Sequence, residues 1–292
     1  MRIHEQILEY IDKLLTPSLL YEILQLKTKI SIELISHIVK KSNKTIPEAV
    51  SVFMAVIRYL WKDSGSLQDF IKENSTLICK LAIEKRAQAN LPSRGLPLLE
   101  IFGKKIQASS ILVIELGASF GLIGRCLLNP DKIIEKKDSY FPPKQQMPQN
   151  PLSINFYLGI ELSPPDKEWV LAWEWHQSQR DRLKNFLEDI TADKRFKLLK
   201  EDAFGFSTHN IVRELAGKHS TVVVLTSHML YLNDEKKQKL LKDEILEFTE
   251  EMEGHWINQA FNKSLQEYFV QLDEEKIIEL SDDSCRSWKW LI

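Results

Sequence analysis

The stretch Ile111-Leu112-Val113-Ile114-Glu115-Leu116-Gly117-Ala118-Ser119-Phe120-Gly121-Leu122 decides the fold. Its first six residues are a short apolar run that ends on an acid, the pattern of a buried strand. A small-residue turn follows, and a helix is expected to open at about Ser119. A glycine-bearing turn between strand and helix lets the backbone come close to a ligand and aims the helix N-terminus at it.

Downstream of this turn the pattern alternates. Ile154–Glu161 predicts a second strand ending in an acid, and a helix follows from Asp166 to about Ile190. Phe196–Lys200 predicts a third strand closed by Glu201-Asp202-Ala203, with a helix at 210–216. Thr221–Thr226 carries the strongest strand signal, ends at Ser227-His228, and leads into a helix over 234–251. His255–Ala260 reads as a weaker strand, and 268–272 with 276–280 as an antiparallel hairpin that closes the sheet. Strands alternating with helices predict a doubly wound α/β sheet, which binds ligands at the carboxyl ends of its strands.

Upstream, residues 1–100 read as helices. Ile3, Ile7, Ile11 and Leu14 recur at helical spacing, and Thr45-Ile46-Pro47-Glu48 opens a helix with Val50, Phe53, Ile57 and Leu60 on one face. The expected organisation is therefore a helical cap domain over 1–100 and a sheet domain over 101–292. Residues 129–153, rich in lysine and proline, read as a loop inserted in the sheet domain. The segment 86–97, with two prolines and a glycine, is either an ordinary connector or a lid bringing Gln88, Asn90 and Arg94 over the ligand turn.

Composition narrows the function. A net charge of −2 over 292 residues gives no reason to expect a nucleic-acid surface. No apolar run approaches the ~20 residues of a membrane span. Cys79, Cys126 and Cys285 are far apart, and no histidines or cysteines stand at metal-ligand spacing, so no metal is expected. These features predict a cytoplasmic protein and are silent on oligomeric state; the substrate is expected to be a small molecule.

Polar residues close four strands: Glu115 with its turn, Glu161, Asp202, and Ser227-His228. This order suits a nucleoside-bearing cofactor, with an acid on the second strand accepting from both ribose hydroxyls and a later acid accepting from an adenine amino group. Glu161 lies farther past the turn than the ~20 residues usual in dinucleotide folds, and the inserted loop accounts for the excess. The same turn also fits a serine-hydrolase elbow, with Ser119 as nucleophile, His228 or His255 as base and Asp202 as acid. Against that stand the charge at Glu115, the missing His-Gly-Gly-Gly segment and the helical first hundred residues. A non-catalytic nucleoside-binding or protein-binding module is the third alternative. His176 reads as a packed histidine, and Trp173 and Trp175 as core or interface.

The acidic-x-Gly-x-Ser-x-Gly turn resembles the first motif of class I S-adenosylmethionine-dependent methyltransferases. More of the chain resembles the domain of unknown function 2332 family, whose sheet is methyltransferase-like. The matching pieces are Arg86-Ala87-Gln88-Ala89-Asn90 through Arg94, the turn itself, Leu158-Gly159-Ile160-Glu161-Leu162-Ser163-Pro164 with Trp169 and Trp175, Arg180–Leu183, and Glu201-Asp202-Ala203. The chain departs from that family at Glu161, where aspartate is usual, at His176, where proline is usual, and at Leu91, where an acid is usual. The resemblance implies a Rossmann-like class I methyltransferase sheet with an N-terminal all-helical cap and S-adenosylmethionine as cofactor. It implies that Glu115, Gly117, Ala118, Ser119 and Gly121 cradle the methionine end and ribose. Glu161 would bind the ribose hydroxyls, and Asp202 with Ala203 the adenine. Ser227, His228 and Tyr231 would face the methyl acceptor, with His228 the first candidate base. Gln88, Asn90 and Arg94 would come from the cap to meet the substrate.

Overall fold

A computed structural model describes residues 3–13, 26–42, 44–61, 65–85, 92–106, 108–131, 154–174, 177–190, 193–227, 235–262, 265, 267–281, 285 and 287–291. By compactness the chain divides into two units, Met1–Asn90 with Pro165–Lys184, and Leu91–Pro164 with Asn185–Ile292. Residues 91–100, expected in the cap, thus belong to the sheet unit, and 165–184, expected in the sheet domain, belong to the helical one.

The helical unit contains α1 (Ile3–Lys13), α2 (Lys29–Lys41), α3 (Ile46–Leu60), α4 (Leu67–Glu73), α5 (Ser75–Glu84), α8 (Lys167–Ala172) and the start of α9 (Gln177–Ile190). The α3 start is fixed by a capping box: Thr45 accepts the Glu48 N–H, and the Glu48 carboxylate accepts the Thr45 N–H. Ile7, Ile11, Ile35, Ile38, Phe53, Val56, Ile78 and Trp169 form one buried core. On α1, α2 and α5 the buried residues lie along one face, whereas α3 is buried on every side from Val52 to Ile57, so burial of apolar surface around α3 holds the unit together. The single helix expected from Asp166 to Ile190 is two helices. Asp166 caps α8, which closes at Trp173.

In the sheet unit a 3₁₀ turn, Pro92–Gly95, leads into α6 (Leu96–Lys104). The strands are β1 (Ile111–Leu116), β2 (Phe156–Ile160), β3 (Phe196–Leu199), β4 (Thr221–Ser227), β5 (His255–Asn262), β6 (Glu267–Leu272), β7 (Glu275–Leu280) and β8 (Trp288–Trp290). Helices α7 (Leu122–Leu128), α10 (Asn210–Ala216) and α11 (Glu235–Glu251) connect them. The strand order is β3-β2-β1-β4-β5-β6-β7-β8. β1 to β5 run parallel, and β6 to β8 add an antiparallel meander. The expected hairpin is thus β6–β7, and β8 is an addition to it.

Strand β1 is buried along its whole length, as a central parallel strand covered on both faces must be. Leu112, Ile114 and Leu116 face a core with Phe206, Val212, Leu241, Ile245 and Phe248. Val113 and Glu115 alternate to the other face, where α7 lies against β2. Here Gly124 fits the Tyr157 ring so closely that an added Cβ would stand 2.3 Å from it. The chain proceeds from β1 to one side of the sheet and returns at β4 on the other. Ligand crevices in doubly wound sheets open at this reversal, outside the carboxyl ends of the strands.

Candidate functional site

The turn after β1 is built by three left-handed residues, Gly117 (φ 71°), Ser119 (φ 52°) and Gly121 (φ 71°). They hold the backbone out of the helical region, so α7 starts at Leu122 rather than at Ser119. The turn is tied down from β2: Gly117 N–H and Ala118 N–H both donate to the Ile160 carbonyl, at 2.9 and 3.2 Å. Gly121 answers to packing as well as conformation, since a Cβ there would stand 2.6 Å from the Phe196 ring.

Glu161, the first residue past β2, is brought against this turn. Its Oε2 accepts the Ser119 N–H at 2.9 Å, and its Oε1 accepts the Ser163 N–H at 3.2 Å. Each carboxylate oxygen has a second lone pair, so the group can still accept from a ligand hydroxyl. The pairing of the β1 turn with the acid of β2 is therefore a contact within the fold.

Glu115 lies beneath the turn and is 3% exposed. The fully buried Tyr157 hydroxyl donates to its Oε2 at 2.5 Å. Burial pushes the Glu115 carboxyl up to about 8. The Tyr157 hydrogen bond and the Arg94 charge pull it back down, and the Glu161 charge adds to the rise. The phenol is pushed well above its ordinary range, mostly by burial and then by the Glu115 charge. Tyr157 stacks on Phe196 with centroids 5.1 Å apart. The Arg125 guanidinium lies over Phe196 at 4.1 Å and over Phe120 at 5.1 Å. A layer of buried phenol, half-buried ring and buried guanidinium thus underlies the turn.

The Arg94 charge reaches Glu115 from the 3₁₀ turn before α6, which is pressed onto α7: a Cβ at Gly95 would meet Cys126 at 2.9 Å. Gln259, which the sequence reading missed, holds this segment. It is fully buried on β5, donates to the Arg94 carbonyl at 2.6 Å, and accepts from the Ser227 hydroxyl at 2.9 Å. Beside it Thr226, Asn258, Gln271 and the Trp256 indole form a chain of side-chain hydrogen bonds across β4, β5 and β6. A polar residue inside a strand that is otherwise buried was the available signal.

The sequence-derived candidates divide as follows. Glu115, Gly117, Ala118, Ser119, Gly121 and Glu161 come together at the β1–β2 edge, with Arg94 beside Glu115 and Ser227 at the end of β4. Asp202 is exposed and accepts the Phe204 N–H at 3.1 Å, an ordinary turn bond. The Ala203 side chain is buried in the core with Phe206 and Val212, so any part it takes in binding runs through its backbone. Gln88, Asn90, His228, Tyr231, Trp175, His176 and residues 132–153 of the expected loop lie outside the described residues. His255 stands at the start of β5, away from the carboxyl edge.

No cluster of three or more His, Cys, Asp or Glu able to hold a metal occurs among the described residues. No described helix is long and apolar enough to cross a membrane. No family model matches the chain, and no curated protein matches it.

Proposed function

We propose that the chain is a class I methyltransferase-like protein that binds S-adenosylmethionine and acts on a small molecule. One observation carries this reading: Glu161 at the carboxyl end of β2 touches the left-handed turn that follows β1, beside the strand-order reversal. An acid there can accept two ribose hydroxyls, and the turn offers backbone that a nucleoside can approach. The residues fit the group: Glu161 keeps free lone pairs, and Gly117 carries no side chain at the turn, while Gly121 is kept free of one by the Phe196 ring. Ala118 and Ser119 are small enough to leave that approach open.

When bound, the cofactor supplies an electrophilic methyl group. The protein's part is positioning of the acceptor against it. In this reading Glu161 and the Gly117–Gly121 turn hold the nucleoside, and the buried Glu115–Tyr157 pair supports the turn from below. Arg94 and Ser227, joined through Gln259, border the acceptor side. His228 and Tyr231 remain the proposed acceptor-facing residues, with His228 taking a proton where the acceptor must lose one.

A thermal-shift titration with S-adenosylmethionine and S-adenosylhomocysteine tests the reading. Saturable stabilisation by both is expected, and none at millimolar concentration would overturn it. Ser119 gives a second reading its one supporting observation, since φ 52° in a non-glycine residue suits the strained turn of a hydrolase nucleophile. A fluorophosphonate probe that labels Ser119 covalently would favour that hydrolase. Saturable cofactor binding with no turnover across a broad acceptor screen would instead mark a non-catalytic nucleoside-binding module.

A further inference from the structure

The helical unit carries a second arrangement, unrelated to the turn. Tyr59 near the end of α3 and Trp169 on α8 set their rings at 83°, with centroids 5.6 Å apart. The Lys85 ammonium, from the residue that caps α5, lies 5.0 Å from the Tyr59 centroid and 4.4 Å from that of Trp169. Both distances fall within the ~6 Å over which a ring face attracts a cation. We propose that this Tyr59–Trp169 corner is a binding site for an organic cation, a quaternary or methylated ammonium group, in which Lys85 is the built-in occupant that such a ligand replaces.

Four features support this. The corner is rigid: Trp169 is 1% exposed, its backbone N–H donates to Asp166 Oδ1 at 2.6 Å, and Trp173 meets it edge-on at 5.8 Å. The corner is electron-rich, because the Tyr59 hydroxyl donates to Asp166 Oδ2 at 3.1 Å and so leaves more negative charge on its ring. The carboxylates whose charges reach Tyr59 are Asp166 and Glu168, the latter 4.0 Å from Arg180. The third feature is what the corner lacks. The Lys85 ammonium brings three N–H donors and, among the described residues, meets these two rings but no hydrogen-bond acceptor or carboxylate partner. A quaternary ammonium has no N–H to satisfy and is more weakly hydrated, so the same two faces suit it better than they suit a lysine. Finally, Lys85 stands at the end of its helix with an extended backbone (ψ 144°), so its side chain can swing out while α5 stays intact.

Choline and its neutral carbon isostere test the proposal on the full chain, by tryptophan fluorescence and calorimetry. Lys85→Ala should bind choline saturably and at least about tenfold more tightly than the wild type. The isostere should not compete. Adding Tyr59→Ala to Lys85→Ala should lose at least about tenfold of that affinity. Lys85→Gln, which keeps the stem and removes the charge, should behave like Lys85→Ala and decides the matter where the alanine variant does not fold. Choline binding no tighter in the folded Lys85 variants than in the wild type, or isostere binding equal to choline binding, overturns the proposal.

Discussion

Tyr157 and Glu115 share a short hydrogen bond inside the sheet unit, and its energetics can be read in two ways. The phenol is the donor that makes a buried carboxyl tolerable, so Tyr157→Phe leaves an acceptor unsatisfied. The expected loss is about 1–3 kcal/mol of stability, measured by urea denaturation; a variant as stable as the wild type would contradict the assignment. The second reading is pH dependence. The folded-state pKa of Glu115 is raised from an ordinary 4.5 to about 8, so between these values the folded chain binds more protons at this site than the unfolded chain. The contribution is therefore fully present below about pH 4.5 and is lost as the pH rises through about 8. Glu115→Gln keeps an acceptor for Tyr157 and removes the titration. Denaturation between about pH 5 and about pH 9 should accordingly show a shallower decline in that variant than in the wild type.

At the scale of elements, two opposed effects meet in α7. Alanine is a better helix former than glycine by about 1 kcal/mol, which favours Gly124→Ala. The added methyl would stand 2.3 Å from the Tyr157 ring, and overpacking of this kind costs about 1–3 kcal/mol. The ring is fully buried and stacked on Phe196, so it cannot yield cheaply, and a net drop in the urea midpoint is expected. A gain in stability would show that the α7–β2 contact is loose. The contact between the start of β5 and the β6–β7 turn makes a separate prediction. His255 Nδ1 lies 2.7 Å from Asp273 Oδ2, while Asp273 Oδ1 accepts the Trp256 N–H at 2.8 Å. The Asp273 hydrogen bond, the largest effect, holds the His255 pKa above its ordinary value. That stabilisation is complete below the ordinary histidine pKa of 6.5 and is lost as the pH rises through the raised one. Because the pair is partly exposed, His255→Gln should cost only about 0.2–1 kcal/mol at about pH 5.5, and less at high pH. Denaturation at the two pH values checks it.

Elements such as these differ in how far the sequence reveals them. Thr221–Thr226 was legible because a strand buried on both faces is apolar throughout, and Thr45–Glu48 because a capping box is local. β8 was not legible: three residues carry no period. Its two indoles, Trp288 and Trp290, are held at 3.2 and 2.7 Å by Glu100 on α6, nearly two hundred residues earlier. The break between α8 and α9 was also hidden, since the apolar stripe runs across it.

Over the whole molecule, the chain leaves the helical unit near residue 90, returns at 165 and leaves again near 184. Periodicity reports which face is buried but not in which unit, so the expected division at residue 100 separated sequence patterns rather than compact bodies. The candidate site follows the same logic. Its strand-end acids and glycine turn are local signals that could be read directly. The Arg94–Gln259–Ser227 link joins three distant segments by hydrogen bonds and has no sequence period. The central claim is that Glu161 and the β1 turn together hold a nucleoside. It is tested most directly by calorimetric titration of S-adenosylhomocysteine into the wild type and into Glu161→Ala. Saturable binding by the wild type, weakened in the variant by about 1–3 kcal/mol, is the expected result. Equal affinity in the two proteins, or no binding by the wild type, would contradict it.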